Sequence, residues 1–250
     1  MKYQDINAKT VDSWVEDGWE WGTPISHEDY LKAMQGDWRM VLTPLIAVPR
    51  EWYPQLKGCK VLGLASGGGQ QMPVFAAQGA ECTVLDYSQK QLDSERLVAE
   101  REGYTIRIVR ADMTQPLPFE DESFDLIFHP VSNCYIQDVQ HVWRECYRIL
   151  KPGGRLMAGM DNGFNYVIDW NETQIKYALP YNPLQDEALY QKAMKDNDGI
   201  QFSHTLDEQI RGQIQAGLRI VDLYEDYNTE GTLHRFHIPA FWATLAEKPL

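Results

Sequence analysis

The chain has 250 residues, 44% of them hydrophobic and 24% charged, which suits one domain with an elaboration and a substantial core rather than two full domains. Its 23 basic and 36 acidic residues give a formal net charge of -13, a field that repels phosphate backbones and argues against a nucleic-acid substrate. Met40 to Val48 is broken by Thr43 and Pro44, too short to span a bilayer, and Met1 to Asp5 opens into polar sequence without a leader pattern, so a cytoplasmic protein without a membrane partner is expected.

Residues 1–57 are dense in aromatics, including Trp14, Trp19, Trp21, Tyr30, Trp38, Trp52 and Tyr53. Ser26 followed by Glu28 and Asp29 predicts a helix to about Gly36, and Pro44, Pro49 and Pro54 then break the chain. Too short for a domain, this segment is expected to lie across the main sheet as a lid on a 58–250 domain. Val61 to Ala65 predicts a strand that drops into Gly67-Gly68-Gly69, with a helix from Gln70 to Gln78 and a second strand from Glu81 to Asp86. Glycines let backbone approach a ligand, and an acid at the tip of the second strand can accept both hydroxyls of a ribose. The order strand, tight loop, helix, strand, acid therefore predicts a nucleoside-containing cofactor.

Ser88 is the expected N-cap of a helix from Gln89 to Glu102 with a partial apolar stripe, followed by strands at Tyr104 to Val109 and Ser123 to Phe128. A helix from about Gln137 to Leu150 ends at Lys151-Pro-Gly-Gly154, before a fifth strand at Arg155 to Met160. Residues 161–203 break the rhythm as a long insertion, of the kind that forms functional lids or small helices. Thr205-Leu-Asp-Glu208 is a capping-box pattern for a helix to about Ala216, and strands at Leu218 to Tyr224 and Arg235 to Glu247 close the chain as a hairpin that would put an antiparallel strand into the sheet. The alternation implies a doubly wound, largely parallel α/β sheet. Cys59, Cys82, Cys134 and Cys146 lack CxxC spacing and are expected as buried free thiols, with no metal.

Four motifs in order, Val61-Leu-Gly-Leu-Ala-Ser-Gly-Gly-Gly69, Val84-Leu-Asp-Tyr-Ser88, Ala111-Asp112-Met113 and Phe119-Glu-Asp-Glu-Ser-Phe-Asp-Leu-Ile-Phe128, resemble the class I S-adenosylmethionine-dependent methyltransferases. Trp143 to Gly154 and the closing Phe241-Trp-Ala-Thr-Leu-Ala-Glu-Lys-Pro249 add to the likeness, which is close over 58–160 and loose over 205–249. A dinucleotide fingerprint would need a glycine where Met72 stands, which turns the reading away from a nicotinamide-dependent oxidoreductase. The resemblance implies a seven-stranded Rossmann-like sheet with an antiparallel last strand. One departure is plain: the family loop carries an acid where this chain has Gly63 and a first glycine where it has Ala65. That acid helps hold the methionine end of the cofactor, and a carbonyl near Phe128 to His129 is a candidate substitute.

Carried across by position, the resemblance places Ala65, Ser66, Gly67 and Gly69 against the methionine part of S-adenosylmethionine, Asp86 on the ribose, and Tyr87 beside the adenine. Asp112 would accept from the adenine amino group, the Met113 amide would donate to the ring, and Phe128 and His129 would complete the cofactor site. His129 is the natural candidate base, with Asn133 and Tyr135 as residues that orient an acceptor or cap the next helix. His27 and His204 each precede a helix, where capping is the simpler account. Trp19 and Trp21 either close over the ligands or anchor the lid; Asp161 could hold a substrate amine, and Phe164, Tyr166, Trp170, Tyr177 and Tyr181 could wall an acceptor pocket. The expected activity is in-line methyl transfer to a small-molecule acceptor enclosed between the lid and the 161–203 insertion, leaving S-adenosylhomocysteine, in a monomer or homodimer. The alternative is an inactive S-adenosylmethionine or S-adenosylhomocysteine-binding module that acts as a sensor or partner protein.

Overall fold

The computed structural model describes residues 1–169 and 171–250. The candidate pocket residue Trp170 lies outside them. Strand β1 (Lys60–Leu64) leads through the glycine loop to helix α3 (Gln71–Ala77), preceded in the chain by α1 (Tyr3–Glu16) and α2 (His27–Met34). The rhythm continues with β2 (Glu81–Asp86), α4 (Gln89–Glu102), β3 (Ile106–Arg110), β4 (Phe124–His129), α5 (Val139–Ile149) and β5 (Leu150–Asp161). The insertion carries α6 (Phe164–Val167) and α7 (Glu187–Asp196); α8 (Gly212–Gln215), β6 (Arg219–Asp226), α9 (Gly231–Arg235) and β7 (Phe241–Glu247) follow.

The strands form one sheet in the order β3-β2-β1-β4-β5-β7-β6. Five are parallel, and β7 runs antiparallel to both of its neighbours, as the closing hairpin predicts. The strand order reverses at β1 and β4, the kind of point where an open α/β sheet leaves a crevice at its carboxyl ends. One face is covered by α5 and the 210–218 region, with Trp143, Leu62, Leu64 and Ile127 at its centre. On the other, Phe75 and Met72 of α3 pack with Val61, Val84 and Phe128, and Trp52 from the N-terminal segment closes the layer. All four cysteines are buried and free.

The predicted caps hold. Ser26 and Ser88 accept from the amides of Asp29 and Gln91, and Thr205 with Glu208 forms the reciprocal box, Glu208 N–H to Thr205 Oγ1 at 3.1 Å and Thr205 N–H to Glu208 Oε2 at 2.8 Å. The helix it opens starts as a π-turn over Asp207–Arg211. One helix was not anticipated: α1 lacks an apolar stripe, and its buried face mixes Ile6 and Ala8 with Asn7 and Thr10, so periodicity does not reveal it. Two expectations need correction. Helix α5 is capped by Asp138, which accepts from Gln140 and His141, and not by Asn133 or Tyr135. The last strand starts at Phe241, because α9 occupies 231–235, its Leu233 amide held by Glu172 at 2.9 Å.

Candidate active site

At the carboxyl ends of the strands lies a cavity of about 280 Å³. The sheet supplies Ala65 to Gly67 after β1, Asp86 to Ser88 after β2, Ala111 to Met113 after β3, and Pro130 to Ser132 after β4. The N-terminal segment contributes Gln4, Asn7, Ala8 and Val11 of α1, then Trp19 and Trp21, and the 41–44 segment contributes Val41, Leu42, Thr43 and Pro44.

Asp86 holds the loop as well as the cavity wall. Its Oδ2 accepts from Gly67 N–H at 3.1 Å and its Oδ1 from Ser88 N–H at 2.9 Å. Burial pushes this carboxyl up to about 6, against those backbone donors that favour its charged form. Tyr87 donates its hydroxyl to Asp5 of α1 at 2.8 Å, and Ser88 donates to Asp12 at 2.6 Å. Asp112 accepts from the Thr114 amide and hydroxyl at 2.8 and 2.7 Å, and Met113 reaches both the cavity and the core. Ala65 stands at φ 47°, a left-handed conformation costly for a residue with a Cβ, where its amide donates to Leu85 O at 2.8 Å.

Of the residues expected at the site, Ala65, Ser66, Gly67, Asp86, Tyr87, Asp112, Met113, Tyr135, Trp19 and Trp21 border this cavity. Gly69, Phe128, His129, Asn133, Asp161 and Tyr166 do not. The reasons are local. Gly69 N–H is taken by Glu95 Oε1 at 2.8 Å, and the Phe128 ring is wholly in the core, edge-on to Phe75.

His129 is also wholly buried, with Nδ1 2.8 Å from the Leu64 carbonyl and Nε2 2.9 Å from Asn133 Oδ1. Burial lowers its pKa, so a neutral ring donates Nδ1–H to Leu64; the Asn133 amide, whose other end meets Gln209 at 3.1 Å, can turn to donate to Nε2. The imidazole thus ties β1 to the loop after β4 and has no free nitrogen for an acceptor. His204 is likewise buried on the carbonyls of Asn133 and Ile136, and the exposed His27 pairs with Glu102 at 2.7 Å.

Among the described residues, the insertion sends no side chain into the cavity wall, contrary to its expected acceptor role. Asp161 is buried, accepting from Gly163 N–H and from Asn165 Nδ2 at 3.1 Å, with burial pushing it up to about 6. Tyr166 donates to Gln201 Oε1 at 2.7 Å and stacks on Tyr181, beside Tyr177. The insertion instead backs α1: Ile200 and Phe202 pack on Ile6, and Asn7 exchanges hydrogen bonds with the Ile200 backbone. The 41–44 segment, with Val131 and Phe241, completes the lining instead. One signal for this segment was available in Gly159, since a glycine inside a strand marks a close backbone approach.

A methyltransferase domain family matches residues 62–158. The chain is 43% identical over 227 residues to the uncharacterized methyltransferase YbaJ of Bacillus subtilis (strain 168), covering 88% of this chain and 89% of that protein. The chain belongs to the methyltransferases. A shorter stretch, 48% of this methyltransferase, is 31% identical to 45% of the demethylmenaquinone methyltransferase of Clavibacter sepedonicus. In structure, it matches an S-adenosylmethionine-dependent methyltransferase from Mesorhizobium loti with a TM-score of 0.63, at 20% identity, over 79% of this chain and 94% of that one.

The glycine loop of this methyltransferase rests on a second carboxyl that sequence reading missed. Glu95 has no exposed surface, binds Gly69 N–H, and leaves Oε2 without a partner among the described residues. Burial pushes it up to about 8, so the folded protein keeps it protonated at neutral pH. Between the ordinary carboxylate range and about 8, the unfolded chain ionises this group while the folded chain does not. The unfolded state then binds fewer protons, and stability falls as pH rises through that window. Glu95→Gln keeps an acceptor for Gly69 and removes the titration. Its melting temperature should fall less between pH 5 and pH 8 than that of the native protein, with a relative gain on the order of 3 kcal/mol by pH 8. Parallel pH profiles would mean that Glu95 is ionised in the fold.

Proposed function

We propose that this methyltransferase transfers a methyl group by in-line displacement from S-adenosylmethionine to a small apolar acceptor. One observation carries the reading: the cavity lining joins carboxyl and other polar side chains to a set of apolar ones, with no lysine or arginine among the described residues. Ser66, Gln71, Asp86 and Asp112 belong to the polar set, and Val41, Leu42, Pro44, Val131 and Phe241 to the apolar one, with Thr43 and Ser132 next to them in the chain. The polar set fits the cofactor, because a half-buried carboxylate at the tip of β2 suits ribose hydroxyls and Asp112 suits an adenine amino group. Tyr87 would flank the ring.

The cofactor, when bound, supplies a sulfonium whose methyl group is already activated, so positioning can account for most of the rate. Trp19, Trp21 and α1 would close over the reacting pair as a lid and exclude water. The apolar set would seat the acceptor by burial, and a thiol and a phenol in the lining stay neutral: Cys134 is pushed up to about 12 by burial, and burial raises Tyr135 well above its ordinary value. Tyr135 would orient the acceptor. An acceptor with its own nucleophilic atom is therefore favoured, and the acidic chain disfavours nucleic acid. A relative named for demethylmenaquinone is consistent with a small-molecule acceptor.

The test is calorimetric titration with S-adenosylhomocysteine, followed by mass detection of methylated product from paired acceptors that differ only in charge. Micromolar binding, with turnover confined to the neutral apolar members, is expected. Equal turnover of the charged partners would overturn the acceptor class, and binding without turnover of any acceptor would leave a sensor or partner protein.

A further inference from the structure

The glycine loop lacks the acid that would face the ammonium of an amino-acid ligand, and a side chain there would have to displace the end of Met72. A Cβ at Gly63 would lie 2.8 Å from Met72 Sδ and 2.9 Å from its Cε, and Met72 has no exposed surface. Phe128 and His129, whose carbonyls were candidate substitutes, lie in the β4 ladders with β1 and β5 and do not border the cavity. Two other polar side chains do. Ser66 and Gln71 are both buried, both border the cavity, and are joined by a hydrogen bond from Ser66 Oγ to Gln71 Oε1 of 3.2 Å. Among the described residues Gln71 Nε2 makes no hydrogen bond and still has accessible surface.

We infer that Ser66 and Gln71 form the seat for the α-amino-acid end of the cofactor, a neutral pair in place of the missing carboxylate. The inference rests on the cofactor reading above. Three properties support it. An amino-acid end carries an ammonium and a carboxylate side by side, and a primary amide offers an acceptor for one and donors for the other. The Ser66 hydroxyl both donates and accepts, so it satisfies whichever half of the Gln71 amide turns away from the ligand. Finally, the loop already rests on the Asp86 carboxylate at Gly67. A second carboxylate there would meet like charge at close range, whereas an amide adds none.

The experiment compares S-adenosylhomocysteine with 5′-methylthioadenosine, which keeps the nucleoside but lacks the amino-acid end, by calorimetry on the native protein, Gln71→Ala and Ser66→Ala. Gln71→Ala should weaken S-adenosylhomocysteine about 10-fold, the size expected for one hydrogen bond to a charged group, and change 5′-methylthioadenosine less than about 2-fold. Ser66→Ala should act in the same sense at about 3-fold, since it only frees the amide to turn. Equal weakening of both ligands would mean general damage to the loop and overturn the assignment, as would unchanged affinity for S-adenosylhomocysteine. If the native protein binds 5′-methylthioadenosine but gains nothing from the amino-acid end, the seat is wrong while the nucleoside site stands. If it binds neither ligand, the cofactor reading itself falls and takes the seat with it.

Discussion

Asp86→Ala should weaken S-adenosylhomocysteine by about 100-fold, the effect of losing two hydrogen bonds from ribose hydroxyls to one carboxylate. The same carboxylate accepts from the Gly67 and Ser88 amides, so truncation removes a ligand contact and loosens the loop that meets the rest of the cofactor. Asp86→Asn separates the two effects. It keeps one acceptor and should cost about 10-fold. Because burial holds this carboxyl at about 6, affinity in the native protein should also fall as pH drops below that value, where the protonated group loses acceptor capacity. Calorimetry across pH 5 to 8 reads both effects; alanine-variant affinity equal to the native value would remove Asp86 from the site.

Gly159→Val is expected to have the largest effect on stability and to remove the acceptor wall with it. A Cβ at this position of β5 would lie 2.1 Å from the Leu42 carbonyl oxygen and 2.8 Å from the Leu42 carbonyl carbon, backbone that cannot rotate away. That carbonyl also accepts from the Val131 amide at 3.1 Å, and the Leu45 and Ile46 amides are held by Asp226 Oδ2 at 2.8 and 3.0 Å. The added side chain must therefore lift the 41–44 segment off the sheet against several hydrogen bonds. Overpacking of this kind costs roughly 3 kcal/mol or more, a fall in melting temperature of about 6 to 12 °C at this size. Methyl transfer should drop at least 10-fold while S-adenosylhomocysteine binding is kept, since the loop and Asp86 lie elsewhere in the cavity. A variant that melts and turns over like the native protein would refute the close approach.

The sheet was legible because its strands are short apolar runs punctuated by glycine, proline and capping residues, signals carried within ten residues. The placement of Asp86 and Asp112 at the cavity was legible for a similar reason: they sit at strand ends at spacings set by the topology. What was not legible depends on partners far along the chain. His129 reads as a base until Leu64 and Asn133 take both its nitrogens. Helix α1 gives no periodic signal, and its place depends on Asn7 meeting the backbone of Ile200, 193 residues on. The acceptor was expected between the 1–57 lid and the 161–203 insertion, and composition gave no means to tell that the insertion would back α1.

Helix α1 forms one wall of the cavity and is fastened by Tyr87 to Asp5 and Ser88 to Asp12, the two residues that follow Asp86. A ligand in this cavity lies against the docked helix, so undocking the helix and emptying the cavity are linked equilibria, and a ligand that stabilises the docked helix prolongs its own stay. The residence time of whatever fills the cavity thus becomes a property of a polar helix near the start of the chain.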